Sequence, residues 1–333
     1  MIELLKKATG GFGPAGEEKI VKDIIRSELK DHCQKLYEDN LGNLIAYIPG
    51  RYSEKKVMVA AHADEIGLMV THIDEEGFLR FTPIGGVDKN IIPHKNFIFS
   101  DGITGTVGVE NLDDNEKLKF EKMFLDIGAD SREDAEELVS VGDSAAYARN
   151  FVDAGGRVLA NSLDDRAGCA ALVAVMQRLD EFYCDTYFVF TAQEEVGCRG
   201  AKTVAYDINP DVALAVDVTA TGDTPESKTR EVSLGAGAAI KVMDRGSITH
   251  PEVKNLLIDL AKKNKITYQM EVLEKGATDA HSMQLTRGGV PSGTLSIPCR
   301  YIHSPHEMID TEDIKCCVDL LGKFINTEKL KDI

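Results

Sequence analysis

Lys56-Val57-Met58-Val59-Ala60-Ala61-His62-Ala63-Asp64-Glu65-Ile66-Gly67 is the stretch on which the reading of the fold turns. Its first half is an unbroken apolar run with β-branched valines, the pattern of a strand covered on both faces of a sheet. The run stops in an imidazole and a carboxylate, His62 and Asp64. In open α/β sheets ligands bind just beyond the carboxyl ends of strands, so this ending marks a candidate site as well as a strand.

Working upstream, residues 43–48 read as a second strand. Residues 17–29 carry Ile20, Val21, Ile24, Ile25 and Leu29 at helical spacing after the turn-forming Gly13-Pro14-Ala15-Gly16, which predicts an opening helix. Downstream, residues 67–161 change texture to short alternating apolar segments cut by Gly, Asp-Gly and Gly-Gly turns, with one helical patch at 133–139. Beyond Leu163 the pattern becomes helix 166–179, strand 186–191, helix 201–205, strand 212–218, helix 251–263 and strand 293–297, the alternation of an α/β sheet. The β-rich block is therefore read as a small domain, 67–161, inserted into a discontinuous catalytic domain formed by 1–66 and 162–333.

Four of these strands end in metal-ligand residue types: His62 and Asp64, the pair Glu194-Glu195, Asp217, and His303. Asp164 and Asp165 precede a helix, where the positive helix end favours a carboxylate and one of them could bridge two ions. Two divalent cations bring four positive charges, which three carboxylates and a hydroxide balance, leaving two neutral imidazoles to complete the set. Oxygen and imidazole donors without thiolate suit zinc, cobalt or manganese in a catalytic site. Any one of these residues alone reads as a cap or surface group; the convergence of four strand ends and a helix start on one ligand chemistry is what points to a paired-metal hydrolase.

Composition restricts the alternatives. The 333 residues are 43 % apolar and 28 % charged, ordinary for a folded globular chain, and the formal net charge of −17 repels phosphate backbones and anionic lipid, so no nucleic acid or membrane partner is expected. No apolar stretch approaches bilayer-spanning length, and Gly10, Gly11 and Gly13 interrupt the N-terminus before a signal-peptide core could form. Seven scattered cysteines without a C-x-x-C pair suggest neither a disulfide framework nor a zinc ribbon and fit a reducing cytoplasm.

The segments Ala61-His62-Ala63-Asp64-Glu65-Ile66-Gly67, Leu163-Asp164-Asp165-Arg166-Ala167-Gly168, Ala192-Gln193-Glu194-Glu195-Val196-Gly197 and Arg300-Tyr301-Ile302-His303-Ser304-Pro305 resemble, in order, the motifs of the glutamyl or tetrahedral (deblocking) aminopeptidase family, whose members are often labelled endoglucanases. The resemblance extends over essentially the whole chain, including Gly13-Pro14-Ala15-Gly16-Glu17 and Gly276-Ala277-Thr278-Asp279-Ala280. It implies an α/β/α sandwich with a mixed central sheet, an inserted β-barrel used in assembly, and two zinc or cobalt ions per subunit. By the same resemblance His62 and Asp217 hold one ion, Glu195 and His303 the other, Asp164 bridges, Asp64 supports the His62 imidazole, Glu194 is the general base, and the peptide after Asp164 is cis. Peptides would be the substrates, and the subunits would pair into dimers that build a twelve-subunit tetrahedral shell. The chain departs from the family pattern at Ala63 and at Cys198, where larger apolar and aliphatic residues are usual.

Some roles stay open at this level. Cys198 reads as a buried packer or a soft metal contact, His306 as a competitor of His303, His281 as a pocket residue or a local cap, and Arg300 as a carboxylate binder or half of an ion pair. Related two-metal cores also serve deacylases and carboxypeptidases. A glycosidase using Glu194 and Glu195 needs carboxyls about 5 to 9.5 Å apart across a sugar, and 6 % aromatics with no Trp leave few stacking platforms.

Overall fold

In the central strands alternate side chains enter two different apolar layers. Val57, Val59 and Ala61, Leu214, Val216 and Val218, and Phe188 and Phe190 pack into one layer; Met58, Ala60, Ala213, Ala215 and Val189 pack into the other. Period-two alternation with both faces apolar requires cover on both sides. The first layer is closed by the helices Ile2–Gly10, Lys19–Leu29, Leu163–Arg178, Pro251–Asn264 and Thr311–Ile325, the second by the shorter Arg199–Ile208 and Ala280–Gln284. The computed structural model describes residues 1–112, 117–227 and 231–333.

Eleven strands among the described residues form one mixed sheet. At its centre Cys184–Thr191, Tyr52–His62, Val212–Ala220 and Ser292–Arg300 run side by side in parallel, and antiparallel strands extend both edges. The register puts Thr191 opposite His62, so two of the ligand-bearing strands finish at one level. Six strands, Gly67–Ile73, Leu79–Ile84, Asn96–Phe99, Thr104–Val109, Met123–Asp126 and Ser144–Tyr147, close a separate antiparallel barrel around its own apolar core of Leu68, Leu79, Phe97, Val107 and Leu125. The fold is thus an α/β/α sandwich with an inserted β-barrel.

Three differences from the sequence reading bear on the domain boundaries and the helical layer. Phe151–Asp153 and Arg157–Ala160, grouped by texture with the insert, pair with the large sheet through Glu307–Asp310, because short alternating strands look alike wherever they end up. The helix at 17–29 is the second, preceded by Ile2–Gly10. The Thr311–Ile325 helix went unread although Asp310 caps it and Ile314, Cys317, Val318 and Leu321 form its buried stripe.

Candidate metal centre

Asp164 and Asp165 have non-helical backbone angles, so the regular helix of Leu163–Arg178 begins at Arg166; the peptide between the two aspartates is cis. Arg166 anchors this start: wholly buried, it donates to the carbonyls of Ala8 and Gly11 at 2.8 and 2.9 Å and pairs with Glu65. The loop after Thr191 is held from several sides. Asn43 accepts the N–H of Ala192, Glu18 that of Gln193, and the two oxygens of Asp64 those of Glu194 and Glu195 at 2.9 and 3.1 Å.

The Asp164 carboxylate lies between two imidazoles, with Oδ1 3.0 Å from His62 Nε2 and Oδ2 3.3 Å from His303 Nε2. Glu195 Oε1 is 3.1 Å from His303 Nε2, and Asp217 Oδ1 is 3.9 Å from His62 Nε2. Both rings are anchored through their other nitrogen, His62 Nδ1 on the Asp64 carbonyl and His303 Nδ1 on the Gly86 carbonyl, each at 3.1 Å. A carbonyl only accepts, so each Nδ1 carries hydrogen, and a neutral ring then aims the Nε2 lone pair at a carboxylate. That orientation is repulsive unless positive charge lies between them. A proton or a divalent cation satisfies it, and this donor set fits divalent cations.

Electrostatics say the same. Burial pushes the carboxyls of Glu194, Glu195 and Asp217 up, and neighbouring carboxylates add to it. Burial opposes charge on His303 and His62 as well, but the surrounding carboxylates outweigh it and raise both imidazoles. So many buried acids facing so few bases is a deficit of positive charge.

The five candidate ligands and Glu194 share a cavity of about 450 Å³, whose further walls include Thr219, Leu273, Ala277 and Ile302. A shallower depression of about 620 Å³ along the barrel, lined by Val87, Lys119 and Phe120, contains none of them. Asp64 touches the His62 ring mainly through its main-chain oxygen; its carboxylate is 3.6 Å from Nδ1 and is spent on the Glu194 and Glu195 amides. Glu194 and Glu195 engage different partners, Cys198 and His303, and do not form a facing acid–base pair.

The residues whose roles the sequence leaves open make the following contacts. Arg300 pairs with Asp223 at 2.7 Å and 3.0 Å, a structural bridge. His281 caps the Gly246 carbonyl at 2.6 Å, and His306 is exposed and turned toward Asn150. Cys198 is buried, and its thiol donates to Glu194 at 3.1 Å.

Four more residues shape the site, three of which, Glu307, Asp279 and Gly86, have no assigned role in the sequence reading. Glu307 accepts the N–H groups of Asp164 and His303. Asp165 accepts those of His62 and Gly168, which occupies both its oxygens. Asp279 accepts from the Thr191 hydroxyl, and Gly86 brings the barrel against His303. Gly85-Gly86 showed only as a turn, and nothing in spacing separates Glu307 from an ordinary strand residue.

The signature of M42 glutamyl aminopeptidases matches residues 42–320. A relative from Acetivibrio thermocellus, which bears a provisional aminopeptidase name, is 50 % identical over 326 residues, 98 % of each chain. An aminopeptidase structure from the archaeon Desulfurococcus kamchatkensis superposes with a TM-score of 0.94 at 40 % identity, covering 99 % of this chain and 95 % of that one. The TET1 peptidase of Pyrococcus horikoshii, which can assemble into a tetrahedron or a large octahedral shell, superposes with a TM-score of 0.88 at 33 % identity over 97 % and 98 % of the two chains.

Proposed function

The chain belongs to the M42 glutamyl aminopeptidase family and is a peptide hydrolase; on that premise we propose that it is a dinuclear metal-dependent aminopeptidase that removes N-terminal residues from peptides. The observation that carries the metal reading is the Asp164 carboxylate between two imidazoles that are each anchored on a carbonyl. His62 and Asp217 would hold one divalent cation and His303 and Glu195 the other, with Asp164 contributing to both; zinc, cobalt and manganese all suit these donors. When bound, such a pair supplies Lewis acidity, which activates water near neutral pH and polarises an amide carbonyl.

Glu194 takes the proton of the attacking water and returns it to the leaving amine. Asp64 keeps it in place by holding the Glu194 and Glu195 amides on one carboxylate. Glu307 holds the main chain of Asp164 and His303, and Gly86 holds the His303 ring. Restriction to chain ends follows from anchoring a free α-amine beside the acidic cluster.

The barrel would pair subunits into dimers that build a twelve-subunit tetrahedral shell. The assembling Pyrococcus relative and the exposed Leu138 and Val141 of the insert support this. Seven free cysteines support a reducing, cytoplasmic setting, and no helix among the described residues is long and apolar enough to cross a membrane.

The test is prolonged chelation followed by zinc, cobalt or manganese, assayed on aminoacyl-nitroanilides and on their N-acetylated counterparts. Activity should vanish and return, on free amines alone. Full activity in rigorously metal-free protein refutes the metal reading, and faster cleavage of the acetylated substrates would make the enzyme a deacylase.

A further inference from the structure

The barrel reaches the metal centre at a second point besides Gly86. Tyr147 ends the barrel strand Ser144–Tyr147, is only 3 % exposed, and packs its ring on Phe97 with centroids 4.6 Å apart. Its hydroxyl is buried and has no hydrogen-bond partner among the described residues. Leaving a buried O–H unpaired is costly, and a buried tyrosine ordinarily carries its hydroxyl to a partner. Burial, reinforced by the carboxylates of Glu307 and Asp88, pushes the phenol up, so it keeps its proton and is a donor. Tyr147 lines a cavity of about 10 Å³ whose other walls include Glu195, His303 and Glu307. That volume is about what one water molecule needs, and the walls are polar enough to hold it.

We propose that this cavity is the site of one structural water, which accepts from the Tyr147 hydroxyl and donates to the carboxylates of Glu195 and Glu307. Tyr147 is thereby a positioning residue for the half of the metal centre built on Glu195 and His303. The positioning role rests on the dinuclear reading above; the water site does not. The two acceptors have capacity for it. Each Glu307 oxygen already takes one amide, from His303 or Asp164, and a carboxylate oxygen can accept twice. Glu195 meets His303 through Oε1 and can accept again. One bond accepted and two donated give the water the three bonds usual for a buried one. Glu307 already orients His303 and Asp164 through their main chains, so the water would add the Glu195 side chain to the same scaffold. The barrel would then act on this half of the centre twice, on the His303 ring through Gly86 and on Glu195 through Tyr147. Groups that orient a ligand in this way set metal affinity without touching the ion.

The experiment compares the wild-type protein with Tyr147→Phe, which removes the hydroxyl and keeps the ring on Phe97. Crystals of both proteins, grown metal-free at a resolution that shows ordered water, read the cavity directly. Cobalt uptake against a competing chelator, followed by the visible cobalt spectrum, reads the two ions separately, and the melting temperature of the metal-free proteins reads the fold. The expected result is an ordered water within hydrogen-bond distance of Tyr147 Oη in the wild type, lost or displaced in the variant. One of the two cobalt ions should bind about 10- to 100-fold more weakly in the variant, with an altered spectrum, while the other ion and the melting temperature stay as in the wild type. A wild-type cavity without water overturns the site. Equal affinity for both ions in the two proteins, or equal weakening of both ions together with a lowered melting temperature, overturns the positioning role. A wild-type protein that takes up a single cobalt contradicts the dinuclear reading, whereas an ordered water on Tyr147 in its metal-free crystals still upholds the water site.

Discussion

The carboxylate of Glu307 accepts the main-chain N–H of Asp164 at 2.9 Å. Its other oxygen accepts the N–H of His303 at 2.8 Å, so one buried side chain sets the position of a bridging candidate and of a terminal one. In Glu307→Gln one acceptor becomes an NH₂ group facing an N–H. Metal affinity should fall by about 10- to 100-fold, the usual cost of losing a group that orients a ligand. Competition with a chelator measures it, and unchanged affinity would mean that Glu307 does not hold the site.

Glu194 and Glu195 should separate cleanly. Glu194→Gln removes the base while keeping the shape, so kcat should drop by roughly 10² to 10⁴ with both ions retained. Glu195→Gln weakens one ion, and excess metal should recover part of the activity. One ion per subunit in the Glu194 variant would reverse the two roles.

Gly86 tests whether the barrel shapes the centre. A Cβ there would lie 2.5 Å from His303 Nδ1, and the Gly86 carbonyl is that nitrogen's acceptor. Gly86→Ala should displace the imidazole and lower kcat by about 10²-fold, the scale of a displacement near 1 Å, while the melting temperature changes little. Normal turnover would show that the loop has room to yield.

Glu65 is buried between Arg149 and the wholly buried Arg166, bonded to Arg149 at 2.7 Å and also to Ser162. Glu65→Gln leaves Arg166 uncompensated and should destabilise the fold by about 3–5 kcal/mol in denaturant titration. Burial raises the Glu65 carboxyl, but the two guanidinium groups outweigh it and hold it below its ordinary value. A depressed acid contributes stability above its unfolded pKa, roughly 4.3, and loses it as pH falls through the lower folded value. Stability should therefore decline below about pH 4, less steeply in the Glu65→Gln variant. Identical slopes would assign acid sensitivity elsewhere.

Light scattering should give the mass of a dodecamer, or of dimers in exchange with it. Charged substitutions at Leu138 and Val141, both exposed on the insert, should shift the distribution toward smaller species. Active protein that is monomeric at every working concentration would refute the shell.

The alternation of helix and strand after Leu163, the texture change at Gly67, and the endings at His62, Glu194-Glu195, Asp217 and His303 are legible in the chain because each is local: a period, a run, a residue type at the end of a run. Glu307, Asp279 and Gly86 are not, since their meaning lies in partners far along the chain, such as Gly86 beneath His303, 217 residues later. The fate of residues 151–160 was undecidable for the same reason: a short strand carries no mark of the sheet it will join. Sequence alone determined which chemistry the chain can bring to a site. Only the tertiary structure decided which side chains face one another there, because parallel register and the packing of the barrel against the sheet are set by contacts between distant segments.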